Sequence, residues 1–263
     1  MRTVEEKILK HFRMKGVYGL NIQALTDVGK VRKINEDSYI YYSCDKYSYA
    51  MVADGMGGHL AGEVASKMAV DIVSEYIQEH ITDDLDHFQV KEILNRAFLT
   101  ANNQIYDYSC ENESVMGMGT TATLCLIRDR FLIYAHIGDS RAYMIDDKAE
   151  QITRDHSYVQ ELVKLGQITP EEAKTHPRRN YITRAMGVEK DVRADLGIKT
   201  YNGEKVLICS DGLHGKVEDW ELYKNTMERT AESCVEELVR LANDRGGEDN
   251  ITVVVMEGED ANA

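Results

Sequence analysis

Several acidic residues of this chain sit at the ends of strand-like runs, most of them beside glycine or another small residue. Asp54 follows Tyr49-Ala50-Met51-Val52-Ala53 and precedes Gly55-Met56-Gly57-Gly58. Asp211 follows Val206-Leu207-Ile208-Cys209-Ser210 and precedes Gly212. Asp139 lies in Gly138-Asp139-Ser140-Arg141, after the run Phe131 to Ile137. Asp249 lies in Gly246-Gly247-Glu248-Asp249-Asn250, ahead of Ile251-Thr252-Val253-Val254-Val255, and Glu36 and Asp37 stand before the run Tyr39 to Ser43. Apolar strands fix such positions, and glycines let backbone carbonyls come close to a ligand. If these ends converge, several like charges share one small volume, which is costly unless protons or cations compensate. Oxygen donors without paired His or Cys point to Mg²⁺ or Mn²⁺. More than four carboxylates exceed what one octahedral ion needs, so the pattern suggests two ions, the arrangement that activates water and supports in-line displacement at phosphorus.

Each piece alone also reads as ordinary structure. Asp-Gly is a common turn dipeptide. Gly55 to Gly58 has the flexibility to cradle a phosphate, yet neither GxGxxG nor a Walker pattern is present. Arg32 alone reads as a solvated arginine, His59 as a first-turn helix residue, and Asp139 to Arg141 as a turn with a local ion pair. The conjunction carries the inference.

The elements that would position these residues follow from periodicity. Strands are expected at Gly19–Thr26, Tyr39–Ser43, Tyr47–Ala53, Thr120–Ile127, Phe131–Ile137, Arg141–Ile145, Lys205–Ser210 and Ile251–Met256. Two amphipathic helices are expected at about Ala61–His80, with Val64, Met68, Ile72, Val73 and Ile77 on one face, and at about Phe88–Tyr108. A second pair is expected near Val217–Thr226 and Ala231–Asn243. Helices in pairs, not one after each strand, argue for antiparallel sheets covered by helices. Asp155 to Arg184, which holds both prolines, reads as a surface flap with two short helices.

Composition narrows the class. The 263 residues are 43% apolar, ample for a large core, and two prolines argue against a linker-rich or disordered chain. A formal charge of −14 repels phosphate backbones, so no nucleic-acid partner is expected. Met1 to Lys15 has no apolar targeting region, and the longest stretch without formal charge, Ser114 to Ile127, is too short and polar to span a membrane. Five scattered cysteines without CxxC spacing suggest a cytoplasmic protein without disulfides or thiolate-bound zinc.

Taken in order, these segments resemble the metal-dependent serine/threonine protein phosphatases of the type 2C (PPM) family, in its bacterial branch. The matching stretches are Thr26 to Ser38, Val52 to His59, Gly117 to Thr121, Ile137 to Tyr143, Cys209 to Leu213 and Gly247 to Thr252. Asp155 to Leu162 and Ile182 to Gly187 match in the flap, and the likeness spans about Asn21 to Met256.

The resemblance implies an α+β fold, a four-layer α-β-β-α sandwich of two antiparallel sheets flanked by helix pairs. Residues 19–258 would form the catalytic domain, with a flap at about 155–184, behind an N-terminal extension at 1–18. Carried over position by position, it implies that Asp54 bridges two Mn²⁺ or Mg²⁺ ions and that the Gly55 carbonyl binds one. Asp211 and Asp249 would hold the first ion and Glu36 the second. Asp37 would orient a bound water, and Arg32 would grip the substrate phosphate through its planar fork. Asp139, with Asp211, would hold a weaker third ion, although Gly215 stands where some relatives add an aspartate. The implied reaction is direct hydrolysis of phosphoserine and phosphothreonine by a metal-bridging hydroxide. Animal relatives carry a His directly after the Asp-Gly pair; here Met56 stands there, leaving the general acid as His59 or a metal-bound water. The implied partners are phosphorylated proteins and a cognate Ser/Thr kinase, for a monomeric enzyme. A silent regulatory module of the same fold, or a phosphatase for small esters, are the competing readings.

Overall fold

The computed structural model describes residues 19–57 and 61–258. The expected N-terminal extension and His59 lie outside the described residues. Within those residues, eleven strands form two antiparallel sheets. The first holds β1 (Leu20–Asp27), β11 (Ile251–Gly258), β10 (Lys205–Cys209), β7 (Arg141–Ile145) and β8 (Ala149–Gln151), in that spatial order. The second runs β2 (Asp37–Ser43), β3 (Ser48–Met56), β5 (Ala122–Arg128), β6 (Phe131–Ile137) and β9 (Asp195–Thr200), with β4 (Gly119–Thr120) paired to the end of β3. Helices α1 (Ala61–His80) and α2 (His87–Glu111) cover the second sheet, and α6 (Asp219–Glu228) and α7 (Ala231–Asp244) cover the first. The short α5 (Asp211–His214) follows β10 directly. The flap, between β8 and β9, carries α3 (Tyr158–Lys164) and α4 (Pro170–Thr175).

Both faces of each central strand are buried, which explains apolar runs in place of simple alternation. Successive side chains still point to opposite faces. In β3, Tyr49, Met51 and Ala53 meet α1 and α2, while Ala50 and Val52 face the opposite sheet. In β10, Leu207 and Cys209 meet the second helix pair while Val206 and Ile208 face inward; in β11, Val253 and Val255 go outward and Val254 and Met256 inward. Three apolar layers result, in which each fully buried aliphatic side chain contributes about 1.5–3 kcal/mol.

The α1 boundaries are as expected, and Val73 and Ile77 of the expected face are buried, but the rest of that face differs. Ala61, Ala65, Ala69, Val73 and Ile77 form the buried stripe, whereas Val64, Met68 and Ile72 are only partly buried at its margin. Small residues let this helix lie close on β3: a Cβ on Gly55 would stand 2.1 Å from the Gly62 carbonyl oxygen, so that contact requires glycine. At the other helix pair, Lys205 Nζ donates to the Thr226 carbonyl at 2.9 Å, at the C-terminal end of α6. Glu257 accepts from the Ala231 N–H at 3.0 Å, at the start of α7. The two side chains pair at 2.6 Å, each complementing the helix end it meets.

Candidate metal centre and active site

The side chains that face inward along β3, β10 and β11 turn polar at one end of the inter-sheet core. Ala50 and Val52 are followed at the same parity by Asp54, Val206 and Ile208 by Ser210, and Met256 and Val254 by Thr252. Asp37 is the first residue of β2, and Asp54 and Gly55 lie inside β3, so none of the three stands outside its strand as the sequence suggested. Asp37 and Asp54 are directly opposite each other in the β2–β3 ladder. Like charges so placed repel.

Asp37 is only 8% exposed. Its Oδ2 accepts from Ser210 Oγ at 2.8 Å and Thr252 Oγ1 at 2.6 Å, both from the other sheet, while Oδ1 has no partner. Burial lifts this carboxyl from 3.8 to about 7, against the pull of those two hydroxyls. Asp54 is also raised, by burial and then by the charges of Asp37, Asp211 and Asp139. Asp211, which opens α5, is raised to about 6 by burial and by Asp249, and lies within hydrogen-bonding reach of Asp54. Asp139 reaches the group from the β6–β7 loop and is raised by burial and by Asp211. Carboxyls this close must share protons or a cation.

Glu36 and Arg32 come from the loop between β1 and β2. Burial raises the Glu36 carboxyl against the pull of Arg32. Arg32 Nη2 donates to Asp249 Oδ2 at 2.8 Å, and its Nη1 lies 3.8 Å from Glu36 Oε2. The guanidinium remains about half exposed, at the rim of the cluster. All eight residues singled out from the sequence, Arg32, Glu36, Asp37, Asp54, Gly55, Asp139, Asp211 and Asp249, thus belong to one end of the sheet pair.

Residues not singled out for a role hold them there. Asn250, 4% exposed, donates to the carbonyls of Val28 and Ile34 at 3.0 Å each, and its Oδ1 accepts from the Glu36 N–H at 2.9 Å. One amide therefore pins both ends of the loop that carries Arg32. The expected strand Thr120–Ile127 breaks at Thr121, whose Oγ1 accepts from the Asp54 N–H at 2.9 Å and pairs with Ser140 Oγ at 2.8 Å. The sequence signal for Ser210 and Thr252 was available in their parity: each is a hydroxyl residue in an inward position of an otherwise apolar run.

The donor set suits divalent cations. Among the described residues, six buried side-chain polar atoms lack a partner, and four of them are Glu36 Oε1, Asp37 Oδ1, Asp139 Oδ1 and Asp211 Oδ1. Such atoms are rare in folded proteins and call for an ion or water. Among the same residues, no three of these side chains are drawn tightly around one point. The donors are oxygens alone, the preference of Mg²⁺ and Mn²⁺.

A model of the protein phosphatase 2C family matches residues 30–244. The chain belongs to that family. Protein phosphatase PhpP of Streptococcus pneumoniae is 40% identical over 250 residues, covering 92% of this chain and all of the relative. The crystal structure of the serine/threonine phosphatase Stp1 from Staphylococcus aureus superposes with a TM-score of 0.86 at 40% identity, covering 94% of this chain and 98% of that one. The catalytic domain of the serine/threonine protein phosphatase PstP, solved in complex with two manganese ions, gives 0.79 at 36% identity, covering 90% and 97%. As a member of the 2C family, this chain is a metal-dependent protein serine/threonine phosphatase using two Mn²⁺ or Mg²⁺ ions.

Proposed function

We propose that the carboxylate cluster at the end of the inter-sheet core is where this phosphatase hydrolyses phosphoserine and phosphothreonine. The observation that carries the assignment is the four partnerless oxygens of Glu36, Asp37, Asp139 and Asp211, gathered with Asp54 at one end of the two sheets. Asp54, the Gly55 carbonyl, Asp211 and Asp249 would hold the ions together with Glu36, and Asp139 would add a weaker position beside Asp211. Bound there, the cations supply an activated water and neutralise charge on the phosphoryl group.

The chain's own residues do the rest. Arg32 stands half exposed at the rim, where its fork can turn from Asp249 to two phosphoryl oxygens. Asp37 is anchored through one oxygen, leaving the other to accept a proton from the attacking water. Asn250 fixes the Arg32 loop so that binding does not have to order it.

A cleft of about 550 Å³ runs from Asp139 and Asp211 between α3, α4 and α6, with Val159, Val163, Pro170 and Val217 among its walls. It supports a polypeptide substrate over a small ester. The same proposal covers the cellular setting: residues 19–258 as the catalytic domain of a monomeric, cytoplasmic enzyme that opposes a Ser/Thr kinase. Five free cysteines, three of them buried, fit a reducing compartment. Among the described residues, no helix is long and apolar enough to cross a membrane. Exposed Phe88 on α2 and Trp220 on α6 cover different sheets, and exposed Met116 and Leu165 stand in turns, which supports a monomer.

The test is phosphate release from a phosphothreonine peptide with Mn²⁺, with Mg²⁺ and with chelator, alongside Asp54→Ala. Metal-dependent turnover that the variant loses is the expected result. Turnover retained by Asp54→Ala, or present in chelator, refutes the site.

A further inference from the structure

Where the flap leaves the sheets, a second set of polar side chains gathers that the hydrolysis does not use. His156, the second residue of the expected flap, is 6% exposed. It is joined to Gly138 twice: its backbone N–H donates to the Gly138 carbonyl at 2.7 Å, and the Gly138 N–H donates to its Nδ1 at 3.0 Å. On the far side of the ring, Nε2 lies 3.1 Å from Asp195 Oδ2. Asp195 Oδ1 accepts from Arg184 Nη1 at 2.7 Å, and the Thr183 N–H donates to the His156 carbonyl at 2.8 Å, closing the flap's root.

These contacts admit one tautomer. A backbone N–H only donates, so Nδ1 is bare and accepts from Gly138; the ring proton sits on Nε2 and points at Asp195. Arg184 Nη1, 3.2 Å from Nε2, has its acceptors in Asp195 Oδ1 and the Arg193 carbonyl. Gly138 is itself confined. Its φ is +107°, and a Cβ there would fall 2.6 Å from Thr121 Cβ. The next residue is Asp139, which lines the inner end of the cleft with Asp211 and whose Oδ1 has no partner.

We propose that His156 is a positioning residue. By accepting from Gly138 it sets where Asp139 presents its carboxylate beside Asp211, and so governs that pair's affinity for a divalent cation. The flap root is the other end of the same link. The inference rests on the reading of the cluster as a cation site.

The experiment separates the two sides of the ring. In His156→Asn, Oδ1 replaces Nδ1 as acceptor and the Asp195 contact is lost. In His156→Gln, the amide reaches toward Asp195 and the acceptor for Gly138 is lost. Mn²⁺ binding is followed by electron paramagnetic resonance of the free ion, with Asp139→Asn identifying the class of ion that depends on Asp139. For that class, His156→Asn should stay within about threefold of the unsubstituted chain, while His156→Gln should weaken by about tenfold, what one buried hydrogen bond is worth. Thermal midpoints in chelator should fall alike for both, so a merely structural role does not produce the split. Equal titrations for the two variants, or no ion class lost in Asp139→Asn, overturn the inference. Absence of Mn²⁺ binding by the unsubstituted chain overturns the cation-site reading and the inference with it. Long-range ¹H–¹⁵N spectra of the unsubstituted protein need no variant: the Nε2–H tautomer of His156 is expected, and Nδ1–H overturns the proposal.

Discussion

Replacing Asp37 by asparagine should make the metal-free protein more stable while it damages the enzyme. Asp37 faces Asp54 across the β2–β3 ladder, and burial lifts its carboxyl from 3.8 to about 7. A group whose folded pKa lies above its unfolded value stabilises through the proton it binds. That contribution is complete below about pH 4, falls by about 1.4 kcal/mol per pH unit, and is gone above about pH 7. The interval from 3.8 to about 7 corresponds to about 4 kcal/mol. The asparagine amide would carry no charge, and its oxygen could still accept from Ser210 and Thr252. In chelator, Asp37→Asn should therefore melt near the parent at pH 4 and roughly 8 °C or more above it at pH 8, at 2–4 °C per kcal/mol. Added Mn²⁺ should raise the parent's midpoint more than the variant's, because the ion compensates the charge that asparagine removes. Thermal melts at pH 4, 6 and 8, with and without Mn²⁺, decide it. A variant no more stable at pH 8, or one equally stabilised at pH 4, refutes the idea that buried like charge strains this site.

Asn250→Ala removes three hydrogen bonds and leaves the Val28 and Ile34 carbonyls and the Glu36 N–H to find other partners. A loss of roughly 3 kcal/mol in denaturant melts is expected, together with a raised KM for phosphopeptide as the Arg32 loop loosens. Tyr201, 1% exposed between the sheets, buries a hydroxyl without a partner, so Tyr201→Phe should raise stability by about 1 kcal/mol; a loss would show an unseen partner. His136 is fully buried, with Nδ1 against Thr123 and Nε2 against the Arg154 carbonyl, and burial depresses it from 6.5 to about 4. The unfolded chain takes up that proton first. Stability from this group is thus complete above pH 6.5 and falls by about 3 kcal/mol as the pH drops to 4, a slope that His136→Gln should abolish in urea melts across that range.

Long periodic elements and strand-end carboxylates were legible in the sequence because burial dictates them: α1 begins and ends where its pattern does, and Asp54, Asp211 and Asp249 adjoin the most apolar runs. Two edge strands were not. β8 is three residues long, and β9 reads Asp-Leu-Gly-Ile-Lys-Thr, with two large apolar side chains. β9 is held by its pairing with β6 and by the Tyr134 ring, which leaves no room for a Cβ on Gly197, long-range fits that local pattern does not carry. Part of the α1 face was misjudged for a related reason, Val73 and Ile77 being buried as expected. Large apolar side chains dominate the periodic pattern, but close docking on β3 selects alanine, and Val64, Met68 and Ile72 are left at the margin. In the site, Asn250 acts through backbone groups of a loop more than two hundred residues earlier, which no local spacing reveals.

The contacts of Asp37 with Ser210 and Thr252 cross from one sheet to the other. Each half of the molecule has its own helix-covered core, so the halves could in principle open as separate cooperative units. The bonds at this end act as a clasp between them. A chain with that wiring cannot slide one sheet over the other without dispersing its carboxylates. The alignment of the two halves and the competence of the site are therefore a single property, and hydrogen exchange on β3 and β11 should respond to cations in concert.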